Sequence, residues 1–408
     1  MMKIKLTLIL LLLSVITFGQ SASSILPKCD RTTCDTIGKK DIIDVIKKSF
    51  HIKKGKPRIV QDKKIYFSFF PAGNAATGSS GKALVTSTTA TMYLGSRKTT
   101  NISSATFTPY FNFKGRFGLP LRSSIWFLNN TWTLQGDIRF LVYPQYTWGL
   151  GSKNNSEEKT LIDYQYIRFY QTALVRVKPY LYIGGGYRLD YRTNVHSDDP
   201  TIRLDSFTGY KYGVDGNSFS SGLSLNLLYD TRNNSVNPLP GAYANFEYRL
   251  NPKLLGSQDT WHSLYIDIRK YISLNPCQLE KQNTLAFWTY LWTSINDKTP
   301  YLDLPSTGWD PHNRSARGID QNRYRGKTLY YFETEYRRDI TRNGLLGFVV
   351  FSNINTVSGS GTFLSSWHPA AGAGLRVKFN KGGSTNICID YGLSKDYKGF
   401  KIGLGEAF

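Results

Sequence analysis

The chain has 408 residues, 40% hydrophobic and 14% aromatic, with a formal net charge of +22. That charge raises the question of nucleic acid, yet no dense Lys/Arg block or base-stacking motif is present, so a nucleic-acid partner is excluded and a basic interior, loops that meet anionic lipid headgroups, or both are expected. The mean hydropathy of −0.33 and the lack of any stretch of about 18 apolar residues beyond the first turns of the chain exclude a bundle of membrane helices. They do not exclude a membrane barrel, whose strands alternate lipid-facing apolar with lumen-facing polar residues.

The basic start Met1 to Lys5, the apolar run Leu6 to Ile16 and the small residues that follow predict a cleaved secretory signal peptide over 1–20. Residues 21–63 read as a short polar periplasmic segment. Within it Cys29 and Cys34 close a small loop, a possible disulfide in an oxidising compartment, whereas Cys277 and Cys388 have no evident partner. Over Asp41 to Phe50 the spacing of Ile42, Val45, Ile46 and Phe50 predicts an amphipathic helix docked loosely at the barrel.

Residues 64–408 read as one all-β domain: a single-chain antiparallel transmembrane β-barrel of sixteen strands. Leu264, Ile266 and Ile268 alternate with Tyr265, Asp267 and Arg269, and Leu375, Val377 and Phe379 with Arg376 and Lys378. The expected strands include 64–71, 161–174, 177–192, 326–338, 343–353 and 399–408. In the last of these, Phe400, Ile402, Leu404 and Phe408 are expected on the lipid face. Connection lengths agree with an outward-going first strand. The long connectors 144–160, 193–215 and 295–325 fall on one side, and the short turns at 129–131, 339–342 and 380–384 on the other. A soluble sandwich has no need of this strand number or of 27 tyrosines.

No catalytic constellation stands out. His51, His196, His262, His312 and His368 are scattered, Gly184 to Gly186 lies inside a strand, and Ala83 stands where a phosphate loop needs Ser or Thr. No enzyme activity, metal or cofactor is expected.

The C-terminal Lys398 to Phe408, with Phe408 as its aromatic end, looks like the signal read by the barrel assembly machinery of the outer membrane. Arg317-Gly318 with Gly326 and Glu335, the turn residues Asp230, Arg232, Pro238 and Gly241, and the segment Gly372 to Arg376 stand in order along the chain. Taken together these segments resemble the BamA/TamA superfamily of outer-membrane insertases and transporters, the bacterial surface antigen family, in its sixth-loop signature, its turn between strands eight and nine and its fourteenth strand.

The resemblance implies a sixth outer loop folded into the lumen, with Arg317 paired to Glu335. It also implies a yielding seam between first and last strands, where Gly399, Gly403 and Gly405 sit. Asn353 stands where the family has an aspartate, so a weaker loop lock is expected. The family's periplasmic POTRA domains have no counterpart in 21–63, which suggests a separate periplasmic partner. The implied function is translocation or insertion of proteins or lipids at the outer membrane, in contact with its lipids and lipopolysaccharide. A transport pore or structural barrel is the alternative.

Overall fold

The structure is a computed structural model that describes residues 39–51, 65–75, 83–96, 99–111, 115–232, 234–275, 281–359, 364–381 and 384–408. The expected signal peptide, Cys29, Cys34 and Cys277 lie outside them. Nineteen strand segments form one antiparallel sheet in which neighbours in sequence are neighbours in space. They are β1 (Tyr66–Ala75), β2 (Ala83–Met92), β3 (Ser103–Phe107), β4 (Tyr110–Phe111), β5 (Phe117–Gly118), β6 (Leu121–Trp126), β7 (Trp132–Val142), β8 (Gln145–Thr147), β9 (Thr160–Lys178) and β10 (Leu181–Ser197). After them come β11 (Gly216–Asp230), β12 (Gly241–Asn251), β13 (Trp261–Ser273), β14 (Asn283–Ser294), β15 (Thr328–Asp339), β16 (Leu346–Val357), β17 (His368–Asn380), β18 (Thr385–Ser394) and β19 (Lys398–Leu404).

Three positions in the sheet are each shared by two segments. β3 and β4 both pair with β2, β5 and β6 both with β7, and β7 and β8 both with β9, so the nineteen segments occupy sixteen positions. The breaks fall at residues 108–109, 119–120 and 143–144, each holding a proline, which cannot donate to a ladder.

Period-two alternation separates the two faces. On β15 Tyr331, Glu333, Glu335 and Arg337 are buried while Tyr330, Phe332, Thr334 and Tyr336 are partly exposed. On β11 Leu223, Leu225 and Leu227 are exposed, and Ser224 and Asn226 between them are buried. An apolar outside with a charged and aromatic inside fits strands set in lipid around a polar lumen.

Several strand boundaries differ from the sequence expectation by a few residues, among them the ends near 71 and 353, which run on to Ala75 and Val357. The hairpin of β9 and β10 turns at residues 179–180, beyond the expected end near 174, because Val175 and Val177 continue the alternation. The last strand stops at Leu404 instead of running to Phe408.

β19 lies beside β1, but among the described residues no hydrogen-bonded ladder joins them. The wall is also uneven, with nineteen residues in β9 and seven in β19.

Residues Ile42–Ser49 form helix α1. Asp41 caps it, its carboxylate accepting from the Asp44 amide at 2.8 Å, which satisfies a donor the first turn leaves open. α1 sits at the short-turn rim. The Lys40 amide donates to the Asn343 carbonyl at 3.0 Å, the Lys381 amide to Asp41 at 3.1 Å, and the Lys381 ammonium to Asp44 at 2.5 Å.

Edge amides without a partner strand exchange readily. We predict that, in detergent or bilayer, amides of β1 and β19 exchange with solvent deuterium at least about tenfold faster than those of β13 and β14, which are laddered on both sides. Equal protection, read by mass spectrometry of peptides from both regions, would refute an open seam.

Candidate functional site: the lumen lock and the seam

The connection 295–327 enters the lumen and fills it. Tyr301, Leu304, Ser306, Thr307, Trp309 and Asp310 are all buried. Polar contacts tie it to the wall formed by β8, β10 and β11. Thr147 and Tyr301 share a 2.5 Å hydroxyl contact, Asn322 donates to Gln145 at 2.6 Å, and Asp303 accepts from Arg192 at 2.7 Å and Ser220 at 2.8 Å. The loop's cations are held by protein groups in place of water, Arg317 by carboxylates and Arg314 and Arg325 by main-chain carbonyls.

At its tip, Ala316 and Gly318 adopt positive φ of 57° and 85°, which project the Arg317 side chain between them. The guanidinium, 4% exposed, donates to Asp390 on β18 at 2.8 Å and also to Glu333 and Glu335 on β15. Its plane lies over the Phe351 ring, 3.7 Å from the centroid. The backbone on either side is fastened as well: the Ala316 amide donates to the Tyr331 hydroxyl at 3.1 Å, and Asn353 donates its side-chain amide to the Arg317 carbonyl at 2.9 Å.

Glycine is required where the tip meets the wall. A Cβ on Gly318 would lie 2.7 Å from the Leu393 amide nitrogen, and one on Gly392 2.6 Å from the Gly318 nitrogen. Gly326, where the loop rejoins the wall, would meet the Ser358 carbonyl oxygen at 2.3 Å.

The same carboxylates reach further cations. Glu335 also accepts from Arg337 at 2.5 Å, Asp390 from Arg376 at 2.5 Å, and Arg376 from its other side donates to Glu406 at 2.7 Å. Acid and base alternate through one network, so each charge in it has an opposite partner. The sequence reading found Arg317 and Glu335 but not Glu333, Asp390, Phe351, Arg376 or Glu406. Glu333 was within reach, since it shares a face with Glu335 two residues on. Asn353 is not a partner of the guanidinium. Its amide holds the loop backbone instead of the guanidinium, and Asp390 supplies a carboxylate from a different strand.

The chain end departs from its expected place. Gly405 turns with φ 78°, Glu406 is held by Arg376 and by Asn386 at 2.7 Å, and the Glu406 amide donates to the Val236 carbonyl at 3.2 Å. Phe408 is thereby carried into the lumen, 3% exposed. Its ring lies 5.2 Å from Trp288 and 6.1 Å from Tyr271, and its main-chain oxygen accepts from Arg337 at 2.9 Å. It therefore does not share the lipid face of Phe400. From the loop, Arg314 donates to the carbonyls of Leu404, at 3.0 Å, and Glu406.

At the seam, a Cβ on Gly399 would meet the Tyr397 hydroxyl at 2.5 Å, whereas one on Gly403 would meet nothing within 4 Å. Neither site excludes a side chain, since the end of the Tyr397 ring can swing aside. In the turn between β11 and β12, Asp230 accepts from Arg232 at 2.9 and 2.8 Å, and the guanidinium stacks over Tyr243. A Cβ on Gly241 would lie 2.9 Å from the Arg232 Cα, and Pro238 is buried nearby. These residues brace a turn whose Val236 reaches the chain end.

An antiparallel barrel with an apolar outside, a charged inside and a long loop locked in its lumen defines a class, the outer-membrane β-barrel with an inserted loop. The profile of the Omp85 superfamily domain matches residues 94–408, and the chain belongs to that superfamily. Among solved structures, BamA from Haemophilus ducreyi lacking POTRA domains 1–3 matches with a TM-score of 0.52 at 16% identity, over 84% of this chain and 69% of that one. CdiB from Acinetobacter baumannii matches with a TM-score of 0.49 at 11% identity, over 84% of this chain and 65% of that one. A comparison with curated protein sequences found no match.

Removing one partner from a buried ionic cluster leaves the others uncompensated. We predict that Arg317→Ala lowers stability by about 3–5 kcal/mol, seen as a lower temperature for loss of the compact, heat-modifiable band on gels, and that Arg317→Lys recovers only part of it. We also predict that Asn353→Asp destabilises by about 1–3 kcal/mol, because it removes the donor to the Arg317 carbonyl and adds a fourth carboxylate. An increase in stability for Asn353→Asp would mean that Asn353 faces the guanidinium.

Proposed function

We propose that this protein inserts or translocates polypeptide substrates at the outer membrane, and that its working element is the junction of β1 and β19. The observation that carries the reading is the combination of a lumen occupied by 295–327 with a wall in which, among the described residues, neighbouring strand positions are laddered except at that junction. A plugged lumen disfavours a passive pore. An unladdered edge exposes main-chain N–H and C=O groups to which an extended segment adds as a strand, with affinity supplied by main-chain hydrogen bonds and little demand on its sequence.

The lock serves this reading by holding still the strands next to the moving one. Arg317 joins β15 to β18, and Arg314 grips the end of β19. A substrate strand could then displace the β1 side while β15 to β18 stay in register. The chemistry needed is hydrogen-bond exchange in a thinned wall, which asks for no nucleophile, metal or cofactor. Outer-membrane phospholipid and lipopolysaccharide surround the site, and the barrel assembly machinery would serve for the protein's own insertion.

Depletion followed by outer-membrane proteomics tests the proposal: several other barrels or exported surface proteins are expected to fall, and unaltered levels would defeat it. In planar bilayers the protein is expected to conduct poorly, and Arg317→Ala to raise conductance by loosening the plug. A large steady conductance of the native protein would favour a pore.

A further inference from the structure

The helix α1 is mounted with its sides reversed relative to ordinary packing. A surface helix usually turns its apolar stripe towards the protein and its charges towards water. Here the charged side is used for docking: Asp41 and Asp44 face Lys381, and the Lys40 amide meets Asn343. At about 100° per residue, Ile42, Ile46 and Phe50 fall on the side opposite Asp44, with Val45 at its edge. Val45, Ile46 and Phe50 are 40%, 47% and 74% exposed.

We infer that α1 lies in the inner-leaflet interface of the outer membrane, with Ile46 and Phe50 among the acyl chains and Lys47 at the flank on anionic phospholipid headgroups. Three observations select lipid over a protein partner. The helix is attached to the turn 340–345, whose Ile340 is 58% exposed and continues the outward register of Tyr330, Phe332 and Tyr336, so the rim that carries the helix borders the band the barrel presents to lipid. The exposed charges Lys40, Lys47 and Lys48 are all basic, and long ammonium side chains extend to headgroups while their stems cover apolar surface. The attachment joins two neighbouring hairpins, those of β15–β16 and β17–β18, which fixes the helix along the rim with its apolar side turned away from the docked face.

The test uses the full chain carrying a photoreactive benzoylphenylalanine at Ile46, Phe50 or, as control, Lys48. The protein is irradiated in cells and in vesicles of phosphatidylethanolamine with phosphatidylglycerol. Phospholipid adducts at Ile46 and Phe50, with few at Lys48, are expected by mass spectrometry. Replacing phosphatidylglycerol with phosphatidylcholine, or introducing Lys47→Glu with Lys48→Glu, is expected to lower the adduct yield about fivefold. Adducts to a periplasmic protein, to a second copy or to the barrel's own chain would overturn the inference, as would equal lipid labelling at all three positions or insensitivity to headgroup charge.

Discussion

The structure depends on keeping one guanidinium paired in a place where water cannot reach it. Arg317 is surrounded by Glu333, Glu335 and Asp390 and covered by the Phe351 ring. Three carboxylates gathered without it would repel one another in a poorly solvated lumen. The cation and the acids therefore require each other, and because they come from a loop and from two strands, satisfying them fixes the loop in the barrel. The glycines at 318 and 392 follow from the same constraint, since only bare backbone brings the tip close enough.

The inserted connection is fastened on both flanks of the seam. The Arg317 tip binds β15, β16 and β18, while His312 and Pro311 accept through their carbonyls from Arg122 on β6 and Arg139 on β7. Among the described residues, the junction of β1 and β19 is where a ladder is missing. The short β19 adds to this, because seven residues span far less than the nineteen of β9 at about 3.3 Å per residue.

Much of the architecture was legible because lipid on one face and a polar lumen on the other impose a strict period of two, seen in Leu264 to Arg269 and in Tyr330 to Arg337. The inward approach of the 316–318 tip was implied by family resemblance together with the charges at Arg317 and Glu335. Asp390 was not legible, since it lies 73 residues away and only the register of three successive strand pairings brings β18 beneath the loop. Phe408 was misplaced because alternation cannot distinguish a glycine that continues a strand from Gly405, which bends it with a positive φ. The docked helix shows the same limit. Its amphipathic spacing was plain, but which side meets the barrel was set by Lys381, far along the chain.

The inward turn of the last four residues bears on the protein's biogenesis. Any factor that recognises the ring of Phe408 must do so before the chain end folds under Arg314 and Arg337, since afterwards that ring is enclosed by Trp288 and Tyr271. A receptor for that ring would meet it on the unfolded chain and lose its grip as the ring packs against Trp288.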